Sequence, residues 1–497
     1  ETPAVIDRAV WTFNTQTFES HRHELPLSMV NATGRVTSTD AARPIDLAAS
    51  PKRFTADGGH RTCRPEQTLA RLNRIVSPIT GIVPAVVRLT DHPDMHVYGA
   101  IQTDDLPAFR TSAGNRLLGI PDRAMGKGET DVQARVSCLA EAVERYSSRY
   151  FPGRTKRRAR LAELGGDAVH PDSVLQFSSR QYDSRSAWNA RYGGSPNWVP
   201  EPFDDATPVD WTAAWSLSRR RTRWLPSAFC FFAYPFEGGP AFAQGDSNGC
   251  ASGNTIEEAI LQGLFELIER DACALWWYNR AKRPEIDLAS FGQPFFERMQ
   301  DRCHDLQRTL HVLDLRTEFD VPVALAVSWR RQDGSNIHFG IGCHLEPRLA
   351  ASRALAELNQ MLLIEGRTND PATRIAAQFS PGLIDWLENE CVADHAYVVP
   401  NGMPSIVAQD MHDWSSNDVS DDIRYCVGKL ADNGLETIVL DLTRPEIGFP
   451  VVRVVVPGLR HFWARLAPGR LYDSPVKLGW LASQTGEDEV NDIPFFM

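Results

Sequence analysis

The sequence predicts an α/β fold with mixed sheets, two Glu-rich helices framing one site, and an irregular N-terminal segment. Three observations predict it. Two long segments have helical periodicity, with carboxylates on one face and aliphatics on the other. Short β-branched and aromatic runs, bounded by Pro and Gly, fill the stretches between. Val-Leu-Asp-Leu occurs twice, at Val312–Leu315 and Val439–Leu442, each time beginning a strand that is followed by a polar turn and a second β-rich run.

Residues 1–60 are polar and irregular and read as a docking segment ahead of a catalytic domain spanning 61–497. From residue 61 the pattern tightens. Gln67–Val76 reads as helix and Gly81–Leu89 as a β-rich run. Gln133–Tyr150 is the first strong helix. Residues 160–245 alternate short strands with Pro/Gly loops. Thr255–Asn279 is the second strong helix, and Leu349–Leu363 a third, carrying Arg353, Glu357 and Gln360.

With 497 residues, the chain is too long for one ordinary core, so two or three packed units are expected. Its net charge of −11 argues against nucleic acid as a partner. The dense basic run Arg154–Arg160 reads as a solvated loop. Nine cysteines with no Cys-x-x-Cys pair exclude a regular disulfide framework and a zinc site of usual spacing. Cys138, Cys250 and Cys273 read as small core residues. The sequence contains neither a signal peptide nor an 18-residue apolar span, so the expectation is a cytoplasmic protein with no membrane role.

On the second helix Glu258, Gln262, Glu266 and Glu269 share one stripe, opposite Ile260, Leu264, Leu267 and Ile268. Like charges at these spacings cost about 0.2–0.5 kcal/mol per pair. A cation between them reverses the sign, and hard oxygen ligands suit Mg²⁺, which usually brings phosphate. The first helix repeats the device with Ser137, Glu141, Glu144 and Arg145. Both helices contain Glu-x-x-Glu-Arg, which points to a shared polyanion–metal site. Gly126-Lys-Gly128 precedes the first helix. It is not a P-loop, and reads equally as a flexible turn or as a close approach to a ligand with Lys127 as a point charge. Trp276-Trp-Tyr278 reads as an aromatic core cap.

Taken together, Ser137-x-x-x-Glu141-x-x-Glu144-Arg145, Glu258-x-x-x-Gln262 and Glu266-x-x-Glu269-Arg270 resemble the ATP-binding motifs of the YcaO family. Ser247-Asn-Gly249, Ala251–Asn254, Val76–Gly81, Ala356–Gln360 and Gly469–Asp473 are similar to its peptide-modifying branch, closest to the cyclodehydratase (D-protein) group. The resemblance runs from about Asp57 to Met497.

It implies ATP and Mg²⁺ as cofactors. Glu141, Glu144, Glu258, Glu266 and Glu269 would hold the metal, assisted by Gln262 and Asn254. Ser137, Arg145 and Arg270 would orient phosphates. Arg61 and Thr68 would contact nucleotide, with Arg in place of the usual Lys, and Arg353 would contact phosphate. The implied reaction makes thiazoline and oxazoline rings from Cys, Ser or Thr of a ribosomal precursor peptide. The branch usually ends in a Pro-rich tail whose terminal carboxylate enters the active site, which points to Pro494 and Met497, although this tail has one Pro and Asp492 where Pro is common. Relatives often carry an N-terminal Cys-x-x-Cys that residues 1–60 lack. With no leader-binding domain visible, an E1-like, leader-binding partner or a missing upstream domain is expected to supply peptide recognition. A flavin-dependent azoline dehydrogenase and a homodimer are further candidate associations. Two alternatives stay open: the same fold forming a thioamide or amidine with another nucleophile, and a non-catalytic docking scaffold.

Overall fold

The computed structural model describes residues 9–13, 20–24, 42–56, 58–90, 96–101, 123–152, 154–193, 195–236, 241–368 and 381–495. Strands β1 (Ala9–Phe13) and β2 (Ser20–Glu24) pair as an antiparallel ribbon. Residues 42–56 and 58–62 then cross the body as a strap fastened by charges. Lys52 Nζ lies 2.6 Å from Asp422, both fully covered. His60 Nε2 lies 2.9 Å from Glu346, and the Ser50 N–H donates to Asp418 at 2.9 Å.

Helix α1 (Pro65–Leu72) begins on a proline, whose missing N–H costs nothing there. Strands β3 (Ala85–Arg88), β4 (His96–Ile101) and β5 (Arg123–Gly128) form an antiparallel sheet in chain order, and α2 (Asp131–Ser148) folds back on it. Gly126-Lys-Gly128 is thus the end of a strand, not a flexible turn. Strand β6 (Arg157–Ala159) draws the basic run into a sheet edge. Where strands and loops were expected, four short helices follow: α3 (Leu161–Leu164), α4 (Asp172–Leu175), α5 (Ser179–Asp183) and α6 (Arg185–Tyr192). Next come β7 (Val209–Ser216), β8 (Arg221–Pro226), α7 (Ser227–Cys230), β9 (Cys250–Ser252) and α8 (Ile256–Tyr278).

Helix α9 (Pro294–Asp305) leads into β10 (Arg308–Asp314), β11 (Val323–Arg330), β12 (His338–Cys343) and α10 (Pro347–Thr368). The chain closes with α11 (Pro381–Asn389), α12 (Val419–Asp432), β13 (Ile438–Asp441), β14 (Val451–Val455) and α13 (Arg470–Lys477). The largest sheet runs β6-β7-β13-β14-β9, with β8 on β7. Pairings between these strands are antiparallel, and parallel pairing occurs at isolated bridges such as Arg149–Phe232. Each Val-Leu-Asp-Leu run belongs to an antiparallel pair, β10–β11 or β13–β14. The runs sit at strand ends, in two separate sheets, because each sheet is completed by different neighbours.

Both glutamate-bearing helices start the same way. Thr130 and Thr255 are extended N-caps whose hydroxyls accept the N–H of Gln133 and Glu258. The aliphatic stripe of α8 is buried: Ile260, Leu264, Leu267 and Ile268 are at most 5% exposed. Burying such a side chain contributes about 1.5–3 kcal/mol, enough to orient the opposite, carboxylate stripe. Trp276, Trp277 and Tyr278 enter the same core, as expected of an aromatic cap, and Cys138, Cys250 and Cys273 are buried.

A different internal repeat emerges from the packing: β3-β4-β5-α2 and β10-β11-β12-α10 are built alike. A Cβ on Gly126 would lie 2.1 Å from Ala134 O, and one on Gly342 would lie 2.3 Å from Ala350 O. Only glycine lets each strand approach its helix so closely. Glu141 accepts the Met125 N–H at 3.3 Å, and Glu357 accepts the Ile341 N–H at 2.8 Å. Each partner in the second unit stands 216 positions after its counterpart.

Candidate active site

Helices α2, α8 and α10 bring their polar faces to one cleft. Electrostatic coupling traces the arrangement. Glu144 on α2 is pushed well above the usual carboxylate range, first by burial, then by Glu266 and Glu141. Glu266 on α8 is raised by burial and by Asp246 and Glu141, against the lowering effect of Arg270. Glu269 is raised to about 8, by burial and then by Glu357 on α10. The two stripes thus face each other. Carboxylates that titrate this high are short of positive charge.

Arginines supply part of it. Arg145 binds Glu141 through Nε at 2.8 Å and through a terminal nitrogen at 2.6 Å. Arg270 sits 2.7 Å from Glu266 and 4.5 Å over the Phe462 ring. That contact is poorly aligned: Glu266 Oε1 and Arg270 Nε are buried without a hydrogen-bond partner. Arg353 donates to Gln262 Oε1 and, at 2.8 Å, to Cys343 O. Ser137 lies half-buried on α2.

Glu258 stands at the edge of this constellation. Its Oε1 accepts both the N–H and the hydroxyl of Thr62, and its Oε2 accepts the Asn254 N–H at 2.8 Å and Asn254 Nδ2 at 3.0 Å. Thr68 donates its hydroxyl to Asn254 Oδ1 at 3.0 Å. Arg61 donates to the carbonyls of His60 and Gly58, and burial pulls its guanidinium down to about 10, opposed by nearby Glu258. The strap therefore carries Arg61 and Thr62 to the N-terminal end of α8, the region where Arg353 also acts on Arg61.

Among the described residues no three carboxylate, imidazole or thiol groups lie close enough, as placed, to ligate one ion. The donor chemistry nonetheless fits a hard divalent cation: an orphaned Glu266 oxygen, three raised carboxyls and Gln262 face one cleft. Sequence reasoning left Glu357 out of the carboxylate set. A signal was present: Gly126, Ala134 and Leu139-Ala-Glu141 recur with the same spacing as Gly342, Ala350 and Leu355-Ala-Glu357.

At the C-terminus Pro494 is buried, and Met497 lies outside the described residues. Trp277 Nε1 donates to Ile493 O at 2.7 Å. Phe495 is fully buried, 5.0 Å from the Trp277 ring and 5.1 Å from that of Phe462, which also carries Arg270. The tail is thereby anchored beside the carboxylate cleft.

Residues 125–460 match the family described as YcaO cyclodehydratase, ATP- and Mg²⁺-binding. The chain belongs to the YcaO family. Among solved structures, this YcaO protein is similar to a heterocyclase in complex with substrate and cofactor, at 40% identity and a TM-score of 0.89, covering 99% of this chain and 64% of that one. It is also similar to the heterocyclase TruD, at 36% identity and a TM-score of 0.75, covering 99% and 61%. The YcaO protein of Methanopyrus kandleri bound with AMPPCP and Mg²⁺ shares the fold at 22% identity and a TM-score of 0.59, covering 83% and 95%. The chain spans under two thirds of the length of the two heterocyclases. Among the described residues no helix is long and apolar enough to cross a membrane.

Proposed function

We propose that this YcaO chain is the ATP-dependent catalytic unit of an azoline-forming cyclodehydratase. The observation that carries the reading is the facing of the α2 and α8 carboxylate stripes, with Glu144, Glu266 and Glu269 all held above their normal range. The likeness over 99% of the chain to two heterocyclases supports the substrate class. A Cys, Ser or Thr side chain of a precursor peptide attacks the preceding backbone carbonyl carbon. The resulting oxyanion takes the terminal phosphoryl group of ATP, releasing ADP. Phosphate then leaves as the C=N bond forms, the amide nitrogen giving up its proton.

The chain's residues position and neutralise. Glu141, Glu144, Glu266, Glu269 and Glu357, with Gln262, would hold Mg²⁺, which supplies charge stabilisation for phosphoryl transfer. Glu258 and Asn254 tie the strap to α8 at the edge of the same set. Arg145, Arg270 and Arg353 orient the carboxylates and bind phosphate oxygens. The reading includes an E1-like, leader-binding partner that presents the precursor peptide to the cleft. The anchorage of Phe495 beside the cleft supports a role for the tail there.

The test is incubation with the precursor peptide, ATP and partner, followed by mass spectrometry. Loss of one water per ring is expected, with ring formation weak without the partner. Water loss that is absent in the presence of sulfide, with gain of one sulfur for oxygen instead, would move the assignment to thioamide formation. No ATP consumption with any peptide would favour a scaffold.

A further inference from the structure

Lys127 has no part in the reading above. It sits on β5 between Gly126 and Gly128, and its ammonium lies 2.9 Å from Glu357 on α10. The two side chains are 30% and 25% exposed, so the pair lies on the cleft wall and not in the core. Half-exposed pairs of this kind contribute little to stability. The seam between β5 and α10 does not depend on it: Ser352 donates to Glu129, and Gln360 Nε2 donates to Met125 Sδ at 3.6 Å. Nor does Glu357 need a second partner to fix its rotamer, since the Ile341 N–H already holds its other oxygen. What the pair does is park one positive charge on a carboxylate that faces Glu269.

We propose that Lys127 is a nucleotide-binding residue that exchanges Glu357 for the terminal phosphate of ATP. This rests on the nucleotide reading of the cleft. A divalent cation drawn to Glu357 and Glu269 competes with the ammonium for the same oxygens. Once displaced, the ammonium remains tethered at the cleft. A Cβ on Gly126 would lie 2.1 Å from the α2 backbone, and one on Gly128 would lie 2.6 Å from the Gln133 side chain, so the strand just before Lys127 is pressed against that helix. A flexible four-carbon stem ending in a point charge can follow a phosphoryl group as it moves, which a planar arginine fork does less well.

The experiment titrates the full chain, with Mg²⁺ present, against AMPPCP and against ADP, which lacks the third phosphate. Lys127→Met should weaken AMPPCP binding about tenfold or more while changing ADP binding less than about twofold, as expected for loss of one charge-assisted phosphate contact. Lys127→Arg should recover most of the preference. Equal weakening of both nucleotides, or of neither, overturns the proposal and leaves Lys127 a seam residue. If the unaltered chain binds neither nucleotide, the reading of the cleft fails and takes this proposal with it. A second readout uses the unaltered protein: acylation at Lys127, located by mass spectrometry, should be blocked by Mg²⁺ with AMPPCP and not by Mg²⁺ with ADP. Equal labelling under both conditions is the contrary result.

Discussion

The helix of the first repeat presents Ser137, Glu141 and Glu144 to the cleft, while the helix of the second presents Arg353, Glu357 and Gln360 at the matching positions. What the two share is what the backbone requires: a glycine where strand meets helix, and a glutamate that caps a strand N–H. What they do not share is charge. The first wall is acidic and neutralised by its own Arg145. The second is mixed, and its glutamate borrows Lys127 from the first. One scaffold used twice thus gives a cleft with unlike walls, and α8 adds its carboxylates between them.

The two units also differ in burial. The strands β11 and β12 are buried along nearly their whole length, whereas β3 is half-exposed. The same close approach should therefore be less forgiving in the second unit.

The largest effect expected comes from the face that both repeats share. Glu266→Gln should lower ATP turnover about 10²-fold or more, by removing charge that stabilises phosphoryl transfer, while circular dichroism and melting stay near normal. Undiminished turnover in a folded variant would remove α8 from the reaction. Next, Glu141→Gln and Glu357→Gln should each fold, because the amide oxygen still accepts the strand N–H, and each should lose turnover. Loss in one alone would break the equivalence of the two repeats.

Gly342→Ala should cost about 1–3 kcal/mol, the range for overpacking a tight contact, and more than Gly126→Ala, as read by urea unfolding. The reverse order would mean that burial does not decide tolerance here. Amide exchange should be faster in β3 than in β11 and β12 by the same reasoning.

The smallest effect is pH-dependent. In the folded chain the Glu269 carboxyl stays protonated up to about 8, whereas in the unfolded chain it ionises near its ordinary value of 4.5. Stability from this group is therefore present at low pH and lost progressively between those values, levelling off above 8. Glu269→Gln should gain melting temperature relative to the unaltered chain across that window. A difference independent of pH would show that Glu269 is not held protonated. Mg²⁺ should stabilise the unaltered chain more as pH rises through the same window.

The glutamate helices were legible because the carboxylate stripe and the opposite aliphatic face agree within one segment. The short helices α3–α6 were not, since a helix of one or two turns has too few residues to show a period; α5 left only the capping box of Ser178 and Gln181. The strap was illegible for another reason. Lys52, His60 and Thr62 find Asp422, Glu346 and Glu258 far along the chain, and no local pattern announces such pairs. The repeat containing Glu357 was hidden because only five residues around it match their counterparts 216 positions earlier, and the charged positions differ.

The close strand–helix approach fixes which letters of the sequence are free to vary. At Gly126 and Gly342 even a methyl group would press into the backbone of the next helix, so a saturation library selected for stability should favour glycine in each of those two columns, with alanine next. The charged positions beside them are free of that constraint. The frame of this cleft is thus set by two places with no room for a side chain, and its charges are arranged around them.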